Sequence, residues 1–206
     1  MRLIKHAAIV VSLCVAGATV AAAPPGDSRG FIQRWLVLEP TPVPGRLTQT
    51  AVQEALQLAA LPEAGTTPSD GQTVTVNGVT QTWHRVATPD YNVNLYHFAH
   101  ALSKPTSNVL FWIETVVDSP REMPDVRLAI GSNAASRWWL NGEPVIALND
   151  DRQSVIDDGV SRRLTLRKGR NVIRAAIING GGATDFCARF LDENDRPIPG
   201  LPVTLQ

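Results

Sequence analysis

The sequence predicts an antiparallel β-sandwich with one short helix. The apolar stretches are short and are separated by turn residues, since 15 Gly and 15 Pro are spread over 206 residues. Residues 126–130 alternate strictly between apolar and other side chains. Asn-Gly pairs at 77–78 and 141–142 each separate two such stretches, and Asn-Gly is the strongest short-range signal of a β-hairpin. Strands at regular spacing with turns between them are typical of a sandwich.

The elements are predicted in chain order. Residues 31–38 form the first strand, which a Pro-rich turn at 39–45 ends. Residues 48–60 form the one helix, because Thr50 can cap it and Val52, Leu56 and Ala59 share a face. Residues 109–117 are nearly all apolar or β-branched, as expected of a strand covered on both faces. The other predicted strands are 74–76, 79–83, 126–130, 136–140, 144–148, 163–166, 171–178 and 186–191.

The first 23 residues have the layout of a secretory signal peptide. Arg2 and Lys5 precede an apolar stretch at 7–20, and Ala21 to Ala23 supply a small-residue cleavage site. The apolar stretch is shorter than the ~20 residues of a membrane-spanning helix, and a signal anchor is the alternative. We therefore expect residues 24–206 to form a single exported domain in the periplasm or the medium, outside the membrane after cleavage.

Charge and cysteine content exclude some classes of function. Removing Arg2 and Lys5 from the 19 basic residues leaves 17 against 19 acidic residues, a net charge of about −2. Such a balance does not favour nucleic acid or an anionic membrane as partner. Only Cys187 remains once Cys14 is cleaved off with the signal peptide, so no internal disulfide is expected and stability must come from packing.

The sequence assigns no metal, cofactor or catalytic residue. His97 and His100 lack the Glu of a zinc-protease motif, and one of them is expected to pack under its aromatic neighbours while the other is solvated. The acidic stretches 149–151 and 157–159 lack the ligand spacing of an EF-hand. Cys187 lies in an apolar strand, where an inert buried thiol is more common than a nucleophile. The sequence gives no reason to pair two carboxylates for glycoside cleavage.

The adjacent Trp138 and Trp139 are the strongest candidates for a binding site. Successive side chains of a strand point to opposite faces, so Trp138 shares a face with Leu140 and Trp139 shares the other with Arg137. Trp139 is either covered by a further layer, and structural, or open, and able to stack on a sugar ring while polar groups bond its hydroxyls. Arg137, Trp139, Asp150 and Asp151 are the predicted ligand-binding residues.

The order of five segments resembles a known family. The segments are residues 35–40 (WLVLEP), 82–86 (TWHRV), 130–145 (IGSNAASRWWLNGEPV), 164–171 (LTLRKGRN) and 190–200 (FLDENDRPIPG). Together they are similar to the galactose-binding-like jelly-roll domains of secreted bacterial proteins, which often accompany polysaccharide-acting enzymes. The chain departs from the family pattern at 133–135, where Asn-Ala-Ala replaces Asp-Asp-Gly, and at Glu39, which replaces a Gly.

The resemblance implies a jelly-roll sandwich. It also implies that the face of Trp138 and Leu140 is core, because aliphatic residues occupy these two positions in the family pattern. It implies function only loosely, so three hypotheses stay open. The first is a secreted, non-catalytic module that binds carbohydrate. The second is a structural or protein-interaction module of the cell envelope, or an accessory subunit of an enzyme, with a protein partner in place of a sugar. The third is a glycan-acting hydrolase or lyase, which would require a cleft with two convergent titratable residues.

Overall fold

The protein is an antiparallel all-β sandwich of two sheets. It is described from a computed structural model, which covers residues 27–43, 54, 67–76, 78–149 and 152–205. The predicted signal peptide therefore lies outside the described residues. No helix of the described residues has the length and apolar character needed to cross a bilayer.

The large sheet has eight strands among the described residues. They are β1 (Arg34–Leu38), β2 (Thr41–Pro42), β3 (Thr73–Val76), β4 (Val79–Ala87), β6 (Val109–Ser119), β8 (Ala135–Leu140), β9 (Glu143–Leu148) and β12 (Gly169–Asn179). The strand order is β3-β4-β1-β6-β12-β8-β9, and β2 pairs with β6 beside this path. Asn171 to Ile178, predicted as one strand, lies within the long central strand β12, which pairs with β6 over its whole length.

In the described part of the chain the small sheet has five strands. They are β5 (Val93–Asn94), β7 (Met123–Ser132), β10 (Gly159–Val160), β11 (Leu164–Leu166) and β13 (Asp185–Leu191). Their order is β10-β7-β13-β5, with β11 paired to β7. Helix α1 (Leu95–Ala101) follows β5. Asn94 caps it, because its side-chain oxygen accepts a hydrogen bond from the backbone N–H of His97 at 2.7 Å.

The main hydrophobic core lies between the two sheets. Its centre is aromatic: Trp35 packs edge-on against Trp138 and Phe186, with ring centroids 6.2 and 5.0 Å away. Aliphatic side chains of β6, β7 and β12 surround these rings and are almost fully buried. This core replaces the stabilisation that a disulfide would supply, since the one described cysteine is free.

A second hydrophobic cluster covers the face of the large sheet that points away from the small sheet. It includes Leu36, Leu38, Trp83 and Trp112, each exposed by no more than 2%. The strand at 109–117 is therefore buried on both faces, as its composition predicts. We call this surface the outer face of the large sheet.

The helical content differs from the prediction. Of the predicted helix at 48–60 only Glu54 is described, and it is helical and exposed. Helix α1 was not predicted, because its seven residues are too few to establish a helical period. The expectation that His97 or His100 packs beneath its aromatic neighbours is wrong, since both imidazoles are exposed on the helix.

Candidate functional site

Strand β8 separates its two tryptophans, as predicted. Trp138 is fully buried in the main core, where its indole N–H donates to the Ser136 hydroxyl at 3.0 Å. Its ring contacts Phe186 edge-on, with centroids 5.6 Å apart. Leu140, on the same face, is 4% exposed. The prediction that this face of β8 is core is confirmed, and Trp138 is unavailable to a ligand.

Trp139 lies on the outer face and is only partly buried. Its ring packs at a tilt on Trp112, with centroids 5.8 Å apart, which anchors the indole at the margin of the second cluster. The indole N–H makes no hydrogen bond with the described residues. The other four tryptophans of the chain are exposed by 0–2%. Trp139 is therefore the one indole that combines a fixed position with access to solvent.

The pairing of β8 with β9 shifts at this point. Trp138 faces Ile146, but Trp139 faces Pro144, so that Val145 is an extra residue in β9. Such a bulge bends an edge strand and redirects its side chains. Beside it lies an open depression of about 340 Å³. We call it the Trp139 depression; its walls are Arg137, Trp138, Trp139, Pro144, Val145, Ile146 and Ala147.

Arg137 lies on the same face as Trp139, as predicted, and its guanidinium is held in place. Nη1 donates to the carbonyl oxygens of Leu148 and Ser136 at 3.0 and 3.2 Å, and Nη2 donates to Asn149 Oδ1 at 2.7 Å. A guanidinium has five N–H groups. These three bonds leave the Nε–H and one Nη2 N–H without a partner among the described residues.

A buried ion pair lies next to Trp139 on the outer face. Arg174 on β12 pairs across the strands with Trp139 on one side and Glu114 on the other. Its Nε donates to Glu114 Oε2 at 2.7 Å, and the Glu114 side chain is 1% exposed. Burial raises the pKa of Glu114, and the Arg174 charge opposes that effect. This pair was not predicted, although a Glu within an apolar strand was an available signal in the sequence.

The four predicted binding residues have different outcomes. The structure brings Arg137 and Trp139 together, since both line the Trp139 depression. Asp150 and Asp151 lie outside the described residues, and their role stays a prediction. Asn149, immediately before them, is exposed and bonds Arg137.

Other candidate groups have structural partners. Asp157 and Asp158 form ion pairs with Arg189 and Arg152, respectively. Cys187 is 1% exposed, and burial raises the pKa of its thiol to about 11. In the described part of the chain, no three His, Cys, Asp or Glu side chains gather as metal ligands would.

Two further surfaces were not predicted. Val155, Ile156 and Val160 are 51, 41 and 39% exposed, and they lie in the edge strand β10 or shortly before it in the chain. A polar cleft of about 470 Å³ lies beyond the β8–β9 turn, next to the Trp139 depression, with which it shares Val145. In that cleft Arg162 and Glu143 form an exposed ion pair at 3.0 Å.

Comparisons with known proteins assign no family. No protein-family model matches the chain, and no curated protein matches it. Among solved structures, the chain is similar to a β-glucosidase from Kluyveromyces marxianus in complex with glucose, with a TM-score of 0.44 and 17% identity. The similarity covers 78% of this chain and 17% of that one. At this level the similarity supports no conclusion on ligand or activity.

Proposed function

We propose that this protein is an exported, non-catalytic module that binds carbohydrate at the Trp139 depression, on a sandwich of the galactose-binding-like jelly-roll type. The observation that carries the proposal is the position of Trp139. Its indole is anchored on Trp112 and remains partly open beside a depression of about 340 Å³. That volume is at the lower end of the roughly 300–1,000 Å³ of small-ligand sites.

The chemistry of the depression suits a sugar ring. An aromatic face attracts the apolar C–H face of a pyranose, and stacking costs little entropy because the indole is already fixed. The unbonded N–H groups of Arg137 and the indole N–H of Trp139 can donate to sugar hydroxyls. Pro144, Val145 and Ala147 supply the apolar wall that such sites combine with a few polar groups.

The described lining of the depression does not favour catalysis. The described residues that line the depression include no carboxylate. The nearby Glu114 is buried in its pair with Arg174. A glycosidase of the usual kind needs two carboxyl groups on either side of the scissile bond. Binding without turnover is therefore the function that this geometry supports best.

Calorimetric titration with a panel of oligosaccharides tests the proposal. Trp139→Ala should weaken binding more than tenfold, because losing a stacked indole removes roughly 1.5–3 kcal/mol. Tyr96→Ala is the matched control, since Tyr96 is a partly exposed aromatic residue on α1, away from the depression. Binding that survives Trp139→Ala unchanged, or that Tyr96→Ala weakens equally, would remove this site.

A protein-interaction module is the second candidate, and the exposure of Val155, Ile156 and Val160 in and just before the edge strand β10 favours it. Exposed aliphatic side chains grouped beside an edge strand are a common feature of protein interfaces. Light scattering after size exclusion and co-purification with envelope proteins would test it. A monomer that retains a polysaccharide but captures no protein would reject this alternative. Capture that is lost in Val155→Ser/Ile156→Ser and kept in Trp139→Ala would favour it over sugar binding.

A further inference from the structure

The charge of Arg137 has no counter-ion among the described residues. Its three hydrogen-bond acceptors are two backbone carbonyls and the amide oxygen of Asn149, all uncharged. By contrast, the half-buried Arg174 and Arg189 each pair with a carboxylate. Carbonyl oxygens fix the guanidinium in position without neutralising it. A partly buried cation of this kind attracts an anion from solution.

The nearest described acids do not supply that anion. Glu143, at the start of β9, pairs with Arg162 on the side of the polar cleft. Glu114 pairs with Arg174 beneath the outer face. Arg137 is consequently the one charged side chain among the described residues that line the Trp139 depression. The described lining of the depression therefore carries a net positive charge.

We propose that the Trp139 depression selects acidic sugars, and that the free N–H groups of Arg137 bind the carboxylate of a uronic acid unit. This inference rests on the proposed function. The Nε–H and the remaining Nη2 N–H can serve the two oxygens of one carboxylate, and such charge-assisted bonds are about twice as strong as neutral ones. The Cα atoms of Arg137 and Trp139, two residues apart on β8, are separated by about 6.5–7 Å. One sugar can therefore stack on the indole while its carboxylate reaches the guanidinium.

Calorimetry with matched neutral and acidic ligands tests the inference. The probes are oligogalactose, oligogalacturonate and a sulfated galactose oligomer of equal length. The wild-type protein should bind oligogalacturonate at least tenfold more tightly than oligogalactose, and added salt should reduce this preference. Arg137→Gln should abolish the preference, because it should weaken oligogalacturonate binding at least tenfold more than oligogalactose binding, which loses only neutral hydrogen bonds to sugar hydroxyls. Arg137→Lys keeps the charge without the paired N–H groups and should lie between the two.

The outcomes separate the inference from the proposed function. Equal binding of the neutral and acidic probes, or an equal loss of both in Arg137→Gln, would overturn the inference and leave carbohydrate binding intact. Tighter binding of the sulfated probe would overturn the assignment to a carboxylate. Failure of all three probes would overturn the inference, and failure of the whole oligosaccharide panel would overturn the proposed function as well. Arg121→Gln, which removes an exposed positive charge elsewhere, is the control and should change nothing.

Discussion

Truncating each of the two adjacent tryptophans should have very different effects on stability. Trp138→Ala removes a fully buried indole, and such changes cost about 3–5 kcal/mol. The loss should be near the upper end of this range, because the Ser136 hydroxyl also loses the hydrogen bond that the Trp138 indole N–H donates to it. Trp139→Ala removes a partly exposed ring that packs on Trp112, and should cost about 1–2 kcal/mol.

Urea unfolding followed by circular dichroism measures both losses. The unfolding slopes must agree with that of the wild type for the free energies to be comparable. A domain of typical stability has about 5–15 kcal/mol in total, so at the lower end of that range Trp138→Ala does not fold. Trp138→Phe then replaces it and should still be the more costly change. Equal losses at the two positions, or a larger loss at Trp139, would refute the side-chain orientations of β8 on which the site depends.

Three further predictions concern the rest of the fold. Gly131→Ala should lower the unfolding free energy by about 1–3 kcal/mol, because an added Cβ would overlap the backbone carbonyl oxygen of Val155 in the loop that covers it. The control is Gly181→Ala, which has open space around it and should change stability by less than about 0.5 kcal/mol. Similar melting of both variants would contradict this packing. The Cys187 thiol, whose pKa burial raises to about 11, should resist a thiol reagent at pH 8 until denaturant is added, and rapid labelling of the native protein would refute its burial. Burial alone would raise the pKa of Glu39. Hydrogen bonds from Lys104 and a neighbouring imidazole outweigh burial, so that the pKa lies below its ordinary value. The ionised Glu39 side chain therefore stabilises the fold by about 0.5–1 kcal/mol, as expected of a partly exposed pair. This stabilisation is fully present above the ordinary pKa of about 4.3 and is lost as the pH falls through the lowered pKa. The stability difference between wild type and Glu39→Gln should therefore shrink on acidification, and a constant difference in pH-dependent melts would count against it.

The sequence predicts the strands well because their signals are local. Alternation at 136–140 and the Asn141-Gly142 turn determine which face each side chain of β8 occupies, and both turn residues have the positive φ, 52° and 85°, that such a hairpin needs. Helix α1 was missed because a seven-residue apolar segment fits a strand as well as a helix. Its available signal was Asn94, which is a favoured capping residue.

The candidate site was only partly predictable, since it depends on contacts between strands. Strand periodicity places Trp139 beside Arg137, but it cannot reveal the bulge at Val145 that accompanies the depression. The partners of the guanidinium come from the far end of β9, which no local pattern indicates. Whether an indole on an outer face is covered or open depends on the whole sheet and on what packs against it. Asp150 and Asp151 stay predictions from sequence.

The most direct test of the account is to follow the five tryptophan indole N–H signals by NMR while a glycan that binds is titrated in. Trp139→Phe assigns one of these signals by its disappearance. We predict that the Trp139 signal shifts with the ligand concentration, while the four signals of the buried indoles move little. Shifts confined to the other indoles, or a glycan that binds without moving the Trp139 signal, would contradict the claim that the Trp139 depression is the binding site.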